Sequence, residues 1–256
     1  MSYYFNNVII RKPNKNIKNA LSSKNIKPVY ENILEEHNIY LNVMYSLGLK
    51  IKLLDPLQEF PDSIFVEDPA LIYKNTCIIL NPSESSRNGE KIIISNELKK
   101  YFDRIIFIKN GFIEGGDILK INDHHFIIGL SNRTNKLGAE NLSNVLYSLG
   151  ASVSICQTPK NVLHFKSECS LIDDDVILVS SKMAKLEYLK LNYKLIELPI
   201  GEEGAANSLR INNKLLVPDG FSKADEILSK NYNIIKIKVD EISKVDAGLS
   251  CMSLRW

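Results

Sequence analysis

The chain has 256 residues, 45% of them hydrophobic, and its 32 basic and 30 acidic residues leave a formal charge of +2. That length supports one substantial core or two small ones, and the near balance of charge offers no basic surface for nucleic acid. No run of about 18 apolar residues occurs, so the sequence predicts no membrane span.

The opening MSYYFNNVIIRKP has a short apolar run with no basic stretch ahead of it. It reads as a first strand, Val8–Arg11, rather than as a signal peptide. A chain of this kind is expected in a reducing cytoplasm, with Cys77, Cys156, Cys169 and Cys251 as free thiols. No C-x-x-C pair occurs and only four histidines are present, so no zinc or iron–sulfur site is expected. Lys12, Lys15, Lys18, Lys24 and Lys27 are spread among Asn and Ser and read as a solvated loop. Tyr30–Leu47 follows with Ile33, Leu34, Leu41, Met44 and Leu47 at helical spacing, which places His37 on the polar side.

From Val66 onward one pattern recurs: a polar or small cluster, an apolar strand, a short polar turn and a second apolar strand. It appears as VEDPALIYKNTCIILNPS from Val66, EGGDILKINDHHFIIGLS from Glu114 and SECSLIDDDVILVSS from Ser167. It returns as AANSLRINNKLLVPDG from Ala205, and AGLSCMSLRW from Ala247 stops after one strand. From Asp68 through Asp117, Cys169 and Asn207 to Cys251, the steps are 49, 52, 38 and 44 residues. Helical patterns fall between several units, at Arg87–Tyr101, Asn135–Leu149 and Ser222–Asn231. Repeated hairpins with helical intervals predict similar modules packed radially around a centre. The unpaired first strand would complete the truncated fifth unit. The polar clusters, each at the head of a unit, would then converge on the axis.

Two cysteines, Cys169 and Cys251, head units, and position alone does not choose between them; Cys77 and Cys156 sit inside strand-like runs and read as packing. A thiol nucleophile needs a proton acceptor and donor near neutral pH. His164, in VLHFKS, is the histidine left after the hairpin residues His124 and His125 and the helical His37 are set aside. Asp62, Glu67, Asp68, Glu114 and Asp117 place carboxylates beside apolar strands, where they are costly unless paired. Several carboxylates aimed at one centre call for a cation. Without metal-ligand spacing, a planar guanidinium fits best, because two carboxylate oxygens can accept its parallel N–H donors.

These residues fall in stretches that resemble bacterial dimethylarginine dimethylaminohydrolases, of the pentein or guanidine-modifying superfamily. The stretches are FPDSIFVEDP (Phe60–Pro69), SSRNGE (Ser85–Glu90), EGGDI (Glu114–Ile118), RTN (Arg133–Asn135), VLHFK (Val162–Lys166), AAN (Ala205–Asn207) and SCMSLR (Ser250–Arg255). They run in family order across nearly the whole chain. The resemblance implies an α/β pentein fold, five ββαβ-like modules in a pseudo-fivefold propeller, with residues 1–256 as a single catalytic domain. It implies Cys251 as nucleophile, His164 as general acid and base, and Glu114 as partner of that histidine. Asp68, with Glu67 nearby, would hold the guanidinium. Arg87 and Arg133 would bind the α-carboxylate and Asp62 the α-amino group. Backbone carbonyls near Leu21, on a lid loop, and Val245 would complete the substrate site.

The implied reaction converts methylated arginine to citrulline and a methylamine without a cofactor, and the resemblance leaves room for a homodimer. Two alternatives stand beside it: arginine deiminase or another guanidine hydrolase, and a non-catalytic interaction protein on the same scaffold. The chain departs from the family pattern at Gly115, where relatives can carry alanine, at Ala247, where glycine is common, and locally in PIGEEGAAN.

Overall fold

A computed structural model describes residues 2–24 and 26–256. Fifteen strands among them form five sheets of three. The strands are β1 (Asn7–Arg11), β2 (Lys50–Leu54), β3 (Ala70–Tyr73), β4 (Thr76–Ile79), β5 (Arg104–Phe107), β6 (Ile118–Asn122), β7 (His125–Leu130) and β8 (Ser152–Gln157). They continue as β9 (Cys169–Asp173), β10 (Val176–Val179), β11 (Lys194–Glu197), β12 (Leu209–Ile211), β13 (Lys214–Pro218), β14 (Ile234–Ile237) and β15 (Ser253–Arg255). The five helices are α1 (Tyr30–Ser46), α2 (Glu90–Leu98), α3 (Lys136–Ser148), α4 (Glu187–Asn192) and α5 (Ser222–Ser229).

Every sheet repeats one plan. An inner strand pairs antiparallel with a middle strand, and the middle strand pairs parallel with an outer one after a helical crossover. The same holds for the two remaining sheets. The sequence explains the layering. Middle strands such as TCII of β4 and VILV of β10 are continuous apolar runs because both faces are covered. Outer strands such as RIIF of β5 and KLIE of β11 carry charge at their ends and are only half-buried. Around the axis the inner strand β15 touches β3, and β9 touches both β6 and β12. This is the five-module pentein propeller that the repeat pattern and the resemblance predict.

The closure of the ring also follows the sequence. β1 pairs with β15, Ile9 opposite Leu254, so the first and last strands share one sheet. Two-residue turns join the hairpins, and Lys74, Asp175 and Asn212 adopt a left-handed φ in them.

Three expectations need correction. His37 lies on the buried face of α1, bonded to the Arg11 backbone, and burial pushes its pKa down to about 4, so it is a neutral core group rather than a polar-face residue. The helix expected over Arg87–Tyr101 is broken. Ser85–Arg87 is a 3-10 turn and α2 begins at Glu90, after Gly89, where a Cβ would lie 2.3 Å from the Phe60 ring. The third helix matches, with Asn135 as its N-cap, accepting from the Gly138 N–H, but α5 stops two residues early. The short α4, only six residues, had no periodicity to read.

Ring closure depends on buried side chains of β1, so Ile9→Ala should cost about 2–5 kcal/mol of stability in denaturant unfolding. A loss below about 1 kcal/mol would show that the β1–β15 sheet is not part of the cooperative core.

Candidate active site

The polar clusters ahead of the inner strands meet at one end of the axis. Glu67 and Asp68 precede β3, and Glu114–Asp117 precede β6, the last three as a 3-10 turn. His164 caps the 3-10 turn Phe165–Ser167 ahead of β9, and Cys251 sits two residues before β15. Asp68, Asp62, Arg87, Arg133, His164 and Cys251 line one small pocket of about 30 Å³, with Leu21 and Val245 at its wall. Glu114 stands behind His164 instead of on the pocket surface. Glu67 lines a different cavity.

The Glu114 carboxylate, fully buried, accepts from His164 Nε2 at 2.8 Å through Oε2. Its Oε1 accepts from the Ser83 backbone N–H at 3.1 Å. Burial works against ionisation, yet the bond from His164 and the charge of Arg87 hold Glu114 below its usual range. Asp68 is held down in the same way. Its Oδ2 receives Arg87 Nη1 at 2.6 Å and its Oδ1 the Gly116 N–H at 3.2 Å. Burial would lower the His164 pKa, but Asp117, Glu114 and Asp68 outweigh it and raise it to about 9. The imidazole is therefore an imidazolium at neutral pH. Asp68, Glu114 and His164 offer atoms within 4.8 Å of one another, a donor set able to hold a cation.

Asp117 was visible in the sequence only as one more carboxylate. In the fold it joins two walls: Oδ1 accepts from the Phe165 N–H at 2.7 Å and Oδ2 from the Ser131 hydroxyl at 2.7 Å. The first bond fixes the chain next to His164. The second fixes the turn that carries Arg133, because Ser131 Oγ also accepts from the Arg133 N–H.

Arg87 is fully engaged. Nε and Nη2 reach Glu90, Nη1 reaches Asp68, and Nη2 also reaches the carbonyls of Phe65 and Asp62. Glu90 was not singled out in the sequence, where it reads as an ordinary helix start. Arg133 is freer, 3.7 Å from Glu114 and 3.6 Å from Glu84. Asp62 accepts from the Leu21 N–H at 3.0 Å, and burial raises its pKa.

Cys251 is half-buried. Desolvation, then the charges of Glu67 and Asp68, push its thiol up to about 12. The other cysteine heading a unit, Cys169, donates to the Phe165 carbonyl and is buried away from the pocket. Asn207 sets the loop before Cys251. Its Oδ1 accepts from the Ser250 N–H at 3.1 Å, and its Nδ2 donates to Ser250 Oγ at 3.2 Å and to the Lys166 carbonyl at 2.7 Å. Two glycines permit this packing: a Cβ on Gly248 would lie 2.4 Å from Asn207 Oδ1, and one on Gly115 would lie 2.0 Å from the Glu67 carbonyl. The glycine at 115 is thus required by this backbone.

Two outcomes follow. Without substrate, Cys251 should react slowly with iodoacetamide at pH 7, and a small amidinium ion should accelerate alkylation by placing positive charge beside sulfur. Fast alkylation at pH 7 without the amidinium would contradict the raised thiol pKa. His164 has a folded pKa above its unfolded value of 6.5, so its ion pair stabilises the fold fully below pH 6.5 and fades as pH rises to about 9. The Tm loss of His164→Gln should accordingly be larger at pH 6 than at pH 9.5. Equal losses would show that the imidazolium does not contribute.

Comparison with known proteins agrees with this geometry. Residues 11–216 match the family described as arginine deiminase. The chain is 35% identical over 257 residues to the N(G),N(G)-dimethylarginine dimethylaminohydrolase of Pseudomonas aeruginosa, covering 98% of this chain and 100% of that one. It is 27% identical over 225 residues to the enzyme of the same name from Streptomyces coelicolor, covering 87% and 85%. The crystal structure of the Pseudomonas enzyme, a cysteine-to-serine variant with citrulline, superposes with a TM-score of 0.95 at 34% identity over 99% of this chain and all of that one. The N-terminal domain of the cyanobacterial arginine dihydrolase ArgZ shares the fold, with a TM-score of 0.86 at 12% identity, covering 97% and 96%. A family match over most of the chain and a full-length relative above 30% identity lead to one conclusion: this chain belongs to the dimethylarginine dimethylaminohydrolases of the arginine deiminase family.

Proposed function

We propose that residues 1–256 act as one catalytic domain that hydrolyses Nω-methylated L-arginine to L-citrulline and a methylamine, with Cys251 as nucleophile. The observation that carries this reading is the convergence of Asp68, His164 and Cys251 on one pocket, with Glu114 behind the imidazole.

Asp68 accepts N–H donors of the substrate guanidinium, which brings its central carbon to Cys251. Arg133 receives the α-carboxylate and Asp62 the α-amino group, while Arg87, already bonded to Asp68 and Glu90, adds its charge from within the wall. The cation offsets the charges that keep the thiol protonated, so Cys251 loses its proton to solvent as substrate settles. The thiolate adds to the guanidinium carbon and gives a neutral tetrahedral adduct. His164, already an imidazolium, donates its proton to the methylated nitrogen, and the C–N bond breaks to release the amine. A cationic thiouronium remains on Cys251. Neutral His164 then takes a proton from water, and the hydroxide adds to the same carbon. The C–S bond breaks, the hydroxyl proton passes to sulfur, and citrulline leaves. Glu114 keeps the imidazole oriented through both transfers.

The pocket, about 30 Å³, is far smaller than an arginine, and the Leu21 segment at its wall is the part that gives way for substrate to enter. Ser22 Oγ donates to the Lys244 carbonyl and the Ser23 N–H to Asp246, bonds that exposed loops exchange with water readily. No helix among the described residues is long and apolar enough to cross a membrane. The free thiols suit a reducing cytoplasm, and the same reading allows two copies per assembly, which sedimentation counts directly.

The test is citrulline release from asymmetric dimethylarginine, monomethylarginine, arginine and agmatine offered in parallel. The methylated arginines should be preferred, and Cys251→Ser should lose more than about 10³-fold in kcat while unfolding normally. Preference for arginine would move the enzyme to the deiminases, and undiminished turnover by Cys251→Ser would remove the nucleophile.

A further inference from the structure

A second cavity, of about 340 Å³, runs down the axis along the inner strands, from the level of Glu67, Lys166 and Ser250 to the N-terminal segment Ser2–Phe5. The hydrolysis makes no use of it. Its charge is lopsided. At the floor, Lys166 Nζ and Arg255 Nη2 both bond to Glu67 Oε1, at 2.6 and 2.7 Å, so two cations share one carboxylate. On the wall, Arg210 donates only to the carbonyls of Asn212 and Ile172 and stacks on Tyr3, 4.8 Å from the ring centroid. Lys74 donates to the Leu149 carbonyl. Neither forms an ion pair among the described residues, whereas Lys120 is paired with Asp123 and Asp173 is bonded to the Tyr3 hydroxyl.

Asp173, bonded to a neutral hydroxyl, keeps its charge beside Arg210, so of three excess cations two remain uncompensated around a cavity whose remaining walls include the rings of Tyr3, Tyr4 and Trp256. Cations beside aromatic rings favour a flat anion, which stacks and neutralises at once. One further group is unsatisfied. Glu67 Oε2 is buried without a hydrogen-bond partner, and a buried carboxylate oxygen left so costs free energy until a donor reaches it. The complement of this set is an acid group for the cations, a ring for the aromatic wall and a hydroxyl for Glu67.

We propose that the axial cavity is a binding site for a small aromatic carboxylate that bears a hydroxyl group. The carboxylate meets Arg210 and Lys74, and the hydroxyl donates to Glu67 Oε2. The site is separate from the reaction pocket, with which it shares no lining residue. Its occupancy is read without turnover, so its failure and the failure of the proposed hydrolysis are distinguishable.

The experiment is calorimetric titration of the full chain with 4-hydroxybenzoate, benzoate and neutral 4-hydroxybenzamide. The hydroxy acid should bind at least tenfold more tightly than the amide and several-fold more tightly than benzoate. Lys74→Gln, on the surface, should weaken binding several-fold, and Arg210→Gln more strongly. Saturating citrulline, bound to Cys251→Ser, should leave the affinity unchanged. Equal binding of acid and amide would reduce the cavity to an apolar hole and overturn the proposal. So would displacement by citrulline, full affinity in both charge variants, or no binding of the hydroxy acid. Should Arg210→Gln fail to fold, Lys74→Gln alone decides the charge requirement.

Discussion

The site depends on a buried imidazolium held among carboxylates. Asp68, Glu114 and Asp117 lie where water cannot screen them, and each would be expensive alone. His164 and Arg87 divide the compensation: the imidazolium answers Glu114, and Arg87 answers Asp68 and Glu90. Positive charge is fixed on His164 while Cys251, a few residues from the chain's end, is kept as a thiol. On the proposed mechanism the substrate cation tips the balance, so the thiolate would form only when there is something to attack.

The fold makes this arrangement economical to build. Each module ends its crossover at the same end of the axis, so the residue just before each inner strand arrives at the centre without a long loop. Asn207 and Asp117 then tie neighbouring modules together where the chemistry occurs. The same axis leaves a long cavity on the side away from the reaction. The septum between the two is Glu67 with Lys166 and Arg255, which lie one, two and four residues from Asp68, His164 and Cys251 in sequence.

Much of this was legible in the residues. The repeat gave the modules, the paired end strands and the convergence of polar clusters, because apolar strand pairs and their turn residues leave a periodic trace. What escaped was relational. Glu90 looks like any acidic residue in a first helical turn until Arg87 folds back on it. His37 lies in a polar-looking stretch, yet the Arg11 backbone gives its ring a partner inside the core. Glu67 was expected beside the guanidinium with Asp68, but in the turn ahead of β3 its carboxylate is drawn to Lys166 and Arg255, on the side of the axial cavity. Position alone did not choose between Cys169 and Cys251; the resemblance named Cys251, and the fold buries Cys169 against the Phe165 carbonyl.

The most direct measurement of the central claim is the intact mass of the chain after acid quench during turnover of dimethylarginine, followed by peptide mapping. The account predicts a thiouronium adduct on Cys251, carrying the substrate less its dimethylamine. A chain that turns over substrate with no adduct at any quench time, or with the adduct on Cys169, would contradict it.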